Sequence, residues 1–519
     1  MTNFFSVLYQ NLIVDSNSKK FINFSIERWK SKSSPYKKSQ ILVELYSVDQ
    51  TILAFSYFSN ILAKKNKSEI ISFSISRKSY FLRSIFYRRI FKIYDSFNAK
   101  KHLSTNFHFH LSSKQSLIFN DILVNIKTKS DILNISIDNI VIGNEIYEAY
   151  LRERIKPTVD INSADFRKFL LICIKIFFFW QDYFIENNVK AVILSHGLYK
   201  YGIIRSIAIN KKIPVYLPTV RSMFCLKKSR ALGIPPFNLY PRIFNSFNSK
   251  QKKSALKWSS DRLKLRFSGE VGVDMNYSTK SAFHSKSSKS SFLHKNGRIK
   301  VLIAAHCFFD NPNAYGPNLF VDFFDWISFL GEMSNITNYD WYLKTHPDVL
   351  PGNNRIIKLL LDKYKNIKLL PSEASHHQLI KEGVDVVLTV YGSIGHEYAF
   401  FGKKVINAGI NNPHIGYDFN IHAKSIEEYK NLIMNLNKIN LKINKSKIYE
   451  FYYMNYKYFG YNQLFFNSFE NFLGQFSVKN QNSSNVYEYF MNENTPKKES
   501  ILCEKISNFI NSGKYKFYD

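Results

Sequence analysis

From residue 298 onward, apolar runs of strand length alternate with longer amphipathic runs, and that alternation limits the fold more than any other feature of the chain. "RIKVLIAAH" reads as a strand, "LFVDFFDWISFLGEM" as an amphipathic helix, "WYLKTH" as a second strand and "NRIIKLLLDKY" as a second helix. "NIKLLP", "VDVVLTV" and "KKVINAG" continue as strands, with helices at "SHHQLIKEG" and "SIGHEYAFFG" between them. Helices inserted between successive strands enforce parallel pairing. The region is therefore expected to be a doubly wound α/β sheet, with ligands at the carboxyl ends of its strands.

The first half repeats the theme. "ILVELY" at 41–46 and "EIISFSI" read as strands around a helix over "TILAFSYFSNILAKK". A long helix from about 163 to 188 then leads into the strand of "KAVILSHG", a helix over "YGIIRSIAINKK" and a strand at "IPVYLP". Between the halves, residues 276–297 are rich in Ser and Lys and lack periodicity, the signature of an exposed linker. The expected organisation is an α/β domain over 1–275, a linker over 276–297, a Rossmann-like domain over 298–475, and a polar tail over 476–519 with one terminal helix.

A chain of 519 residues exceeds what one core supports, which agrees with two or more domains. Hydrophobic residues at 45% and charged residues at 22% exclude a disordered chain. The net charge of +32 would suit an anionic membrane surface or nucleic acid, but the basic residues are scattered among Asn, Ser and Ile, and no nucleic-acid module is recognisable. Four widely spaced cysteines form neither a metal pair nor a disulfide framework, which fits a reducing compartment. The N-terminal segment lacks a basic region ahead of a long apolar core, and the apolar run at 169–180 contains Lys175 and is too short to span a bilayer. A cytoplasmic protein, peripheral on the inner face of a membrane, is the expected location.

Three strand ends carry polar chemistry. After "WYL" come Lys344, Thr345, His346 and Pro347; a phosphate there would meet an ammonium and an imidazole, and the proline turns the chain outward. In "LTVYGSIGHEYAFFG", Gly392 allows close backbone approach, Ser393 stands at a helix start suited to an anion, and Glu397 is placed to accept from ribose hydroxyls. In "AAHCFFDNPNAYGPNLF", a strand ends at His306, and Asp310 follows in the loop. A parallel sheet puts these three loops on one edge, so His306, His346 and Ser393 are expected to converge.

The pairing of "KTHP" with "VYGSIGHEYAFFGKKVINAG" resembles bacterial glycosyltransferases of the capsule polysaccharide biosynthesis family. More widely, it resembles GT-B transferases with a His-Pro motif, including sialyltransferases and 3-deoxy-manno-octulosonate (Kdo) transferases. "EAYLRERIKPTVD" and "ILSHGLYKYGIIRSIA" extend the likeness into the first half. It implies a GT-B-like pair of Rossmann-type domains facing across a cleft, with His346 and Ser393 on the donor's nucleotide phosphate. It further implies transfer from a nucleotide sugar, CMP-linked in the sialyltransferase case, to a growing surface polysaccharide or lipid-linked oligosaccharide. The Asp/Glu-Asp/Glu-Gly motif that supplies the base in such sialyltransferases has no convincing copy here.

For the base, His196 in "VILSHGLY" ends a strand and titrates near neutrality, while Asp49 and Asp310 are carboxylates in loops after first strands. No Asp-x-Asp pair occurs, and His108, His110, His376 and His377 lack partners for a closed metal set, so neither a metal nor a cofactor is expected. Rival readings are a polyol-phosphate transferase using a CDP-linked donor, a sugar-nucleotide epimerase, and a non-catalytic polyanion-binding protein.

Overall fold

The computed structural model describes residues 12–29, 39–75, 87–105, 107–227, 234–275, 280–284, 288, 290–345, 351–460, 464–466 and 483–517. Packing divides the chain into two compact units. The first comprises Met1–Ala149, Ile161–Gly233 and Tyr461–Asp519, and the second Tyr150–Asp160 and Ile234–Gly460. The chain thus enters and leaves the second unit twice, a division different from a single cut at 276–297.

In the first unit a six-stranded sheet uses β1 (Gln40–Glu44), β2 (Glu69–Ser74), β3 (Lys101–Ser104), β6 (Val189–Ile193), β7 (Val215–Pro218) and β8 (Met223–Leu226), in the order β3-β2-β1-β6-β7-β8. All pairs are parallel except β7 with β8. Two further strands, β4 (Ser136–Ile137) and β5 (Ile140–Val141), form a hairpin whose turn residues Asp138 and Asn139 both take positive φ, the geometry of a tight two-residue turn. Helix Asp49–Asn66 crosses from β1 to β2 and buries Ile52, Leu53, Phe55 and Phe58 against the sheet. The long apolar run forms helix Ala164–Glu186, capped by the Ser163 side chain. Among the described residues no helix is long and apolar enough to cross a membrane.

The polar tail is part of this first core. Tyr487 stacks on Phe21 at 4.1 Å and donates to Asp49 at 2.9 Å, Tyr57 donates to Glu499 at 2.7 Å, and Leu502, Ile506 and Phe509 complete the apolar cluster. Residues 515–517 also bond to the exposed side of β8, through Cys225 N–H to the Tyr515 carbonyl and Phe517 N–H to the Met223 carbonyl.

The second unit carries β9 (Lys300–Ala304), β10 (Asp340–Lys344), β11 (Ile367–Leu369), β12 (Val386–Thr389), β13 (Lys404–Asn407) and β14 (Ile421–His422), in the order β11-β10-β9-β12-β13-β14, all parallel. β10 and β12 are buried along their whole length, as a sheet covered on both faces requires. Helix Phe323–Ile336 starts at Asp322, whose carboxylate accepts from the Asp325 amide at 2.8 Å. Gly331 on that helix lets Tyr364 lie flat against it, since an added Cβ would sit 2.3 Å from the ring. Helix Ser249–Phe267 belongs to this unit and packs on Lys445–Tyr452 around Tyr240, Phe451 and Phe459. The protein is thus an α/β chain with two doubly wound, Rossmann-type units.

Candidate functional site

In an open parallel sheet the chain turns away in opposite directions at one strand pair, and the carboxyl ends of that pair frame a crevice. The strand orders place that point between β9 and β12 in the second unit and between β1 and β6 in the first.

At the β9/β12 point, His306 lies between the rings of Phe323 (4.7 Å, 14° between planes) and Tyr391 (4.6 Å). Its Nε2 accepts from the Val390 amide at 3.3 Å and lies 3.2 Å from Thr389 Oγ1, which in turn accepts from the Gly392 amide at 3.2 Å. An amide only donates, so Nε2 is the acceptor and the neutral ring carries its proton on Nδ1. His306 therefore fixes the turn that leads into Ser393. The close approach at Gly392 is to Thr389, whose Oγ1 an added Cβ would meet at 2.8 Å.

Ser393 precedes helix Ile394–Phe400, is half-buried and makes no capping bond with its side chain, which leaves the hydroxyl available to a ligand. Glu397 is buried, and its Oε1 takes Nε of Arg266 at 2.8 Å and a second Arg266 N–H. Lys344 is 6% exposed and donates to the carbonyls of Pro371 (3.4 Å) and Ser372 (3.2 Å); burial brings its ammonium down to about 8 against a small opposing effect of Glu373. Thr345 is half-buried at the end of β10. His346, with Pro347, lies outside the described residues. Asp310 is exposed in the loop after β9, accepting from the Asn311 amide at 3.0 Å.

The β1/β6 point is built differently. β1 ends on Glu44, which is 2% exposed, and its Oε2 accepts from the Ser195 amide at 2.7 Å and the Ser195 hydroxyl at 2.8 Å. Burial lifts the Glu44 carboxyl to about 7, with the two Ser195 bonds opposing it. His196 follows Ser195, is half-buried, and meets Tyr46 and Tyr199 edge-on at 6.4 and 5.9 Å. Arg205, buried on helix Tyr199–Asn210, holds the loop by donating to the Gly197 carbonyl and pairing with Glu145. Gly197 and Gly202 are small because Arg205 and Glu145 lie against them. Asp49 does not join this group. It is buried in an ion pair with Arg89 at 2.8 Å and accepts from Tyr487, and burial raises its carboxyl despite Arg89.

Sequence reasoning missed Glu44, Ser195 and Arg205. An acid inside the apolar run "ILVELY" is the signal that could have found the first. His376 bonds the Tyr398 hydroxyl at 2.7 Å and His377 the Phe267 carbonyl at 2.7 Å, while His108 and His110 are exposed in the first unit. Among the described residues no group of three or more His, Cys, Asp or Glu side chains is arranged to hold a metal ion.

No protein-family model matches the sequence, and no curated protein sequence matches it. Among solved structures, UDP-GlcNAc 2-epimerase from Neisseria meningitidis bound to UDP-GlcNAc is 12% identical with a TM-score of 0.22, covering 88% of this chain and 100% of that one. MurG of Acinetobacter baumannii is 8% identical with a TM-score of 0.23, covering 85% and 99%. Anabaena Alr3699/HepE in complex with UDP and glucose is 10% identical with a TM-score of 0.22, covering 87% and 99%. Likenesses at this level carry no argument about activity, and the α/β architecture stands on the two sheets themselves.

Proposed function

We propose that the protein is a glycosyltransferase of GT-B type, taking a sugar from a nucleotide donor to a growing surface polysaccharide or lipid-linked oligosaccharide, as in capsule or lipopolysaccharide synthesis. The observation that carries this reading is the polar carboxyl edge of the second sheet. There the His306–Thr389 bond pins the turn before Ser393, and Lys344 and Thr345 end the adjoining half of the sheet. The donor's phosphates would bind at this edge, with the hydroxyls of Thr345 and Ser393, the Lys344 ammonium and the His346 imidazole as donors. As the bond from the sugar to the phosphate breaks, these groups stabilise the charge that grows on the departing phosphate.

Calorimetry with CMP, CDP, UDP, UMP and GDP tests the donor site. One nucleotide is expected to bind in preference, to weaken at least tenfold in His346→Ala, and to weaken as pH rises through about 8, where Lys344 loses its proton. Equal binding of all five, unchanged in the variant, would overturn the reading in favour of a polyanion-binding protein.

An anionic membrane surface is the partner that would bring a lipid-linked acceptor within reach. Supporting it, a cavity of about 380 Å³ in the second unit is lined by Ile155, Lys156, Phe324, Arg355, Leu359 and Lys363, with Ile155 and Leu359 more than half exposed among the cations. Vesicles containing phosphatidylglycerol should sediment the protein at low salt and lose it on Ile155→Ser with Leu359→Ser. Retention by that double variant would show that scattered charge alone is responsible.

A further inference from the structure

The amino edge of the second sheet, opposite the edge that carries Lys344, forms a cavity of about 560 Å³, a size within the range of small-ligand pockets. Its walls come from the starts of three strands. Arg298 precedes β9, Asp340 and Trp341 open β10, and Asn366 and Lys368 flank the start of β11. The end of helix Phe323–Ile336 and its link to β10 add Asn335, Thr337 and Asn338, and His294 closes one side. All of these residues belong to the second unit. β10 runs five residues from Asp340 to Lys344, so about 17 Å of strand separates this cavity from the carboxyl edge.

Asp340 is the residue that asks for a ligand. Its side chain is 7% exposed, its Oδ2 accepts no hydrogen bond among the described residues, and the His294 imidazole stands 3.8 Å from that oxygen. A carboxylate at that depth without donors is costly, and a ligand hydroxyl that donates to it relieves the cost. The cations lie nearer the solvent. Arg298 is exposed and forms no ion pair among the described residues, and the Lys368 ammonium has only the Phe292 carbonyl at 3.3 Å. Between the acid and the cations stand the exposed carboxamides of Asn335, Asn338 and Asn366, which both donate and accept. An apolar ligand finds little here, and a bare phosphate would meet Arg298 and Lys368 but also the charge of Asp340. A sugar that bears a carboxylate uses every wall: its hydroxyls donate to Asp340 and the carboxamides, and its carboxylate accepts from the cations.

We propose that this cavity is a binding site for an acidic saccharide, placed one sheet's depth away from the edge assigned to the donor. The inference goes beyond the transferase reading, and only the identification of the saccharide as part of the growing polysaccharide rests on that reading. A chain held here stays on the protein between additions without occupying the donor edge.

Calorimetry of the full chain with tetragalacturonate, tetrasialate and a hyaluronan tetrasaccharide, beside neutral maltotetraose and hexametaphosphate, tests the site. At least one acidic saccharide should bind, with maltotetraose about tenfold weaker or more. Asp340→Asn decides, because the two ways of holding an anion give it opposite signs. Where saccharide hydroxyls donate to Asp340, removing its charge weakens binding about fivefold or more. Where cations alone hold a polyanion, removing a like charge strengthens saccharide and hexametaphosphate together, and that result overturns the proposal. Arg298→Gln, at an exposed position, should weaken the acidic saccharide about tenfold and leave maltotetraose within about twofold; an acidic saccharide indifferent to it binds elsewhere, which overturns the site. Should Asp340→Asn fail to fold, Asn338→Ala removes an exposed carboxamide and no charge. It should cost the saccharide about threefold and hexametaphosphate nothing, and an unchanged saccharide affinity overturns the proposal. His346→Ala should leave saccharide affinity as it is, and a loss there would return the ligand to the donor edge and overturn a separate site. Absence of binding by all three acidic saccharides overturns the proposal alone, since the transferase reading is judged by the nucleotide titration.

Discussion

The β1/β6 crevice of the first unit and the β9/β12 crevice of the second are the same place in two copies of one topology, yet their residues are unlike. The first buries a carboxylate, Glu44, against the hydroxyl and amide of Ser195, with no ion pair to it among the described residues. The second sets an imidazole, His306, as an acceptor for the backbone that precedes Ser393, and keeps its buried acid, Glu397, tied to Arg266. Topology decides where a ligand can sit; the side chain that closes each strand decides whether the place holds a proton or orients a turn. The contrast can be tested by disabling one crevice and reading the other.

The largest effect is expected from Arg205→Met, which strands Glu145 in the interior of the first unit and frees the Gly197 loop. A stability loss of about 3–5 kcal/mol should appear in urea unfolding. Peptide-resolved hydrogen exchange should place the loss in the first unit, while the nucleotide affinity proposed for the second persists. An equal loss in both units would break the comparison.

Next comes the pH dependence of Glu44. Its folded value is raised from the ordinary 4.5 to about 7, so the stability it lends is whole below about 4.5 and is lost as pH rises through 7. The difference amounts to about 3 kcal/mol, and Glu44→Gln should remove that slope from the stability profile. A slope that survives the substitution would assign it elsewhere.

A smaller change is expected from Thr389→Val, which leaves the Gly392 amide without its acceptor at a cost of about 1–3 kcal/mol. Nucleotide affinity should fall with it while the Glu44 titration is untouched. Least in size, Ser195→Ala removes one hydroxyl bond to the ionised Glu44, about 1 kcal/mol, with the loss confined to pH values at which Glu44 is charged. Together the last two variants ask whether the crevices are as independent in energy as they are different in composition.

Much of this architecture is legible in the sequence, strand by strand. The strands Gln40–Glu44, Val189–Ile193, Lys300–Ala304, Asp340–Lys344, Val386–Thr389 and Lys404–Asn407 are largely buried, so an apolar stretch between turn signals reports them directly. β3, β8 and β14 escape notice because they are short edge strands; "KHLS" is only partly buried and carries no period. The unit boundaries are hidden for another reason. Helix Ser249–Phe267 is only sparsely buried, and it joins the second unit by packing on Lys445–Tyr452, by Arg266 to Glu397, and by Arg262 to Asp274, which accepts from Tyr452, separations no local pattern records. At the candidate site, Lys344, Thr345, Ser393 and His306 are visible in the sequence as polar residues at or just beyond strand ends, which is where the fold places them. Glu44 is not, because a lone acid in an apolar run looks like an outward-facing residue until the neighbouring strand is known. Arg205 and Glu145 meet across about 60 residues, and only the folded chain shows that each needs the other.

The Tyr487–Asp49–Arg89 knot has a bearing on how the chain comes into being. Asp49 and Arg89 leave the ribosome before the second unit, while Tyr487, which bonds Asp49, and the helix Pro496–Ser512, which adds Leu502, Ile506 and Phe509 to the same core, emerge only after that unit has been made. Until then the first sheet lacks Phe490, Ile506 and Phe509 from its core and carries a buried ion pair open to water. The second unit, whose long segment 234–460 is continuous, can complete its sheet during synthesis. The order of birth is thus the reverse of the order of the sequence: the half that begins the chain is the half that finishes folding last.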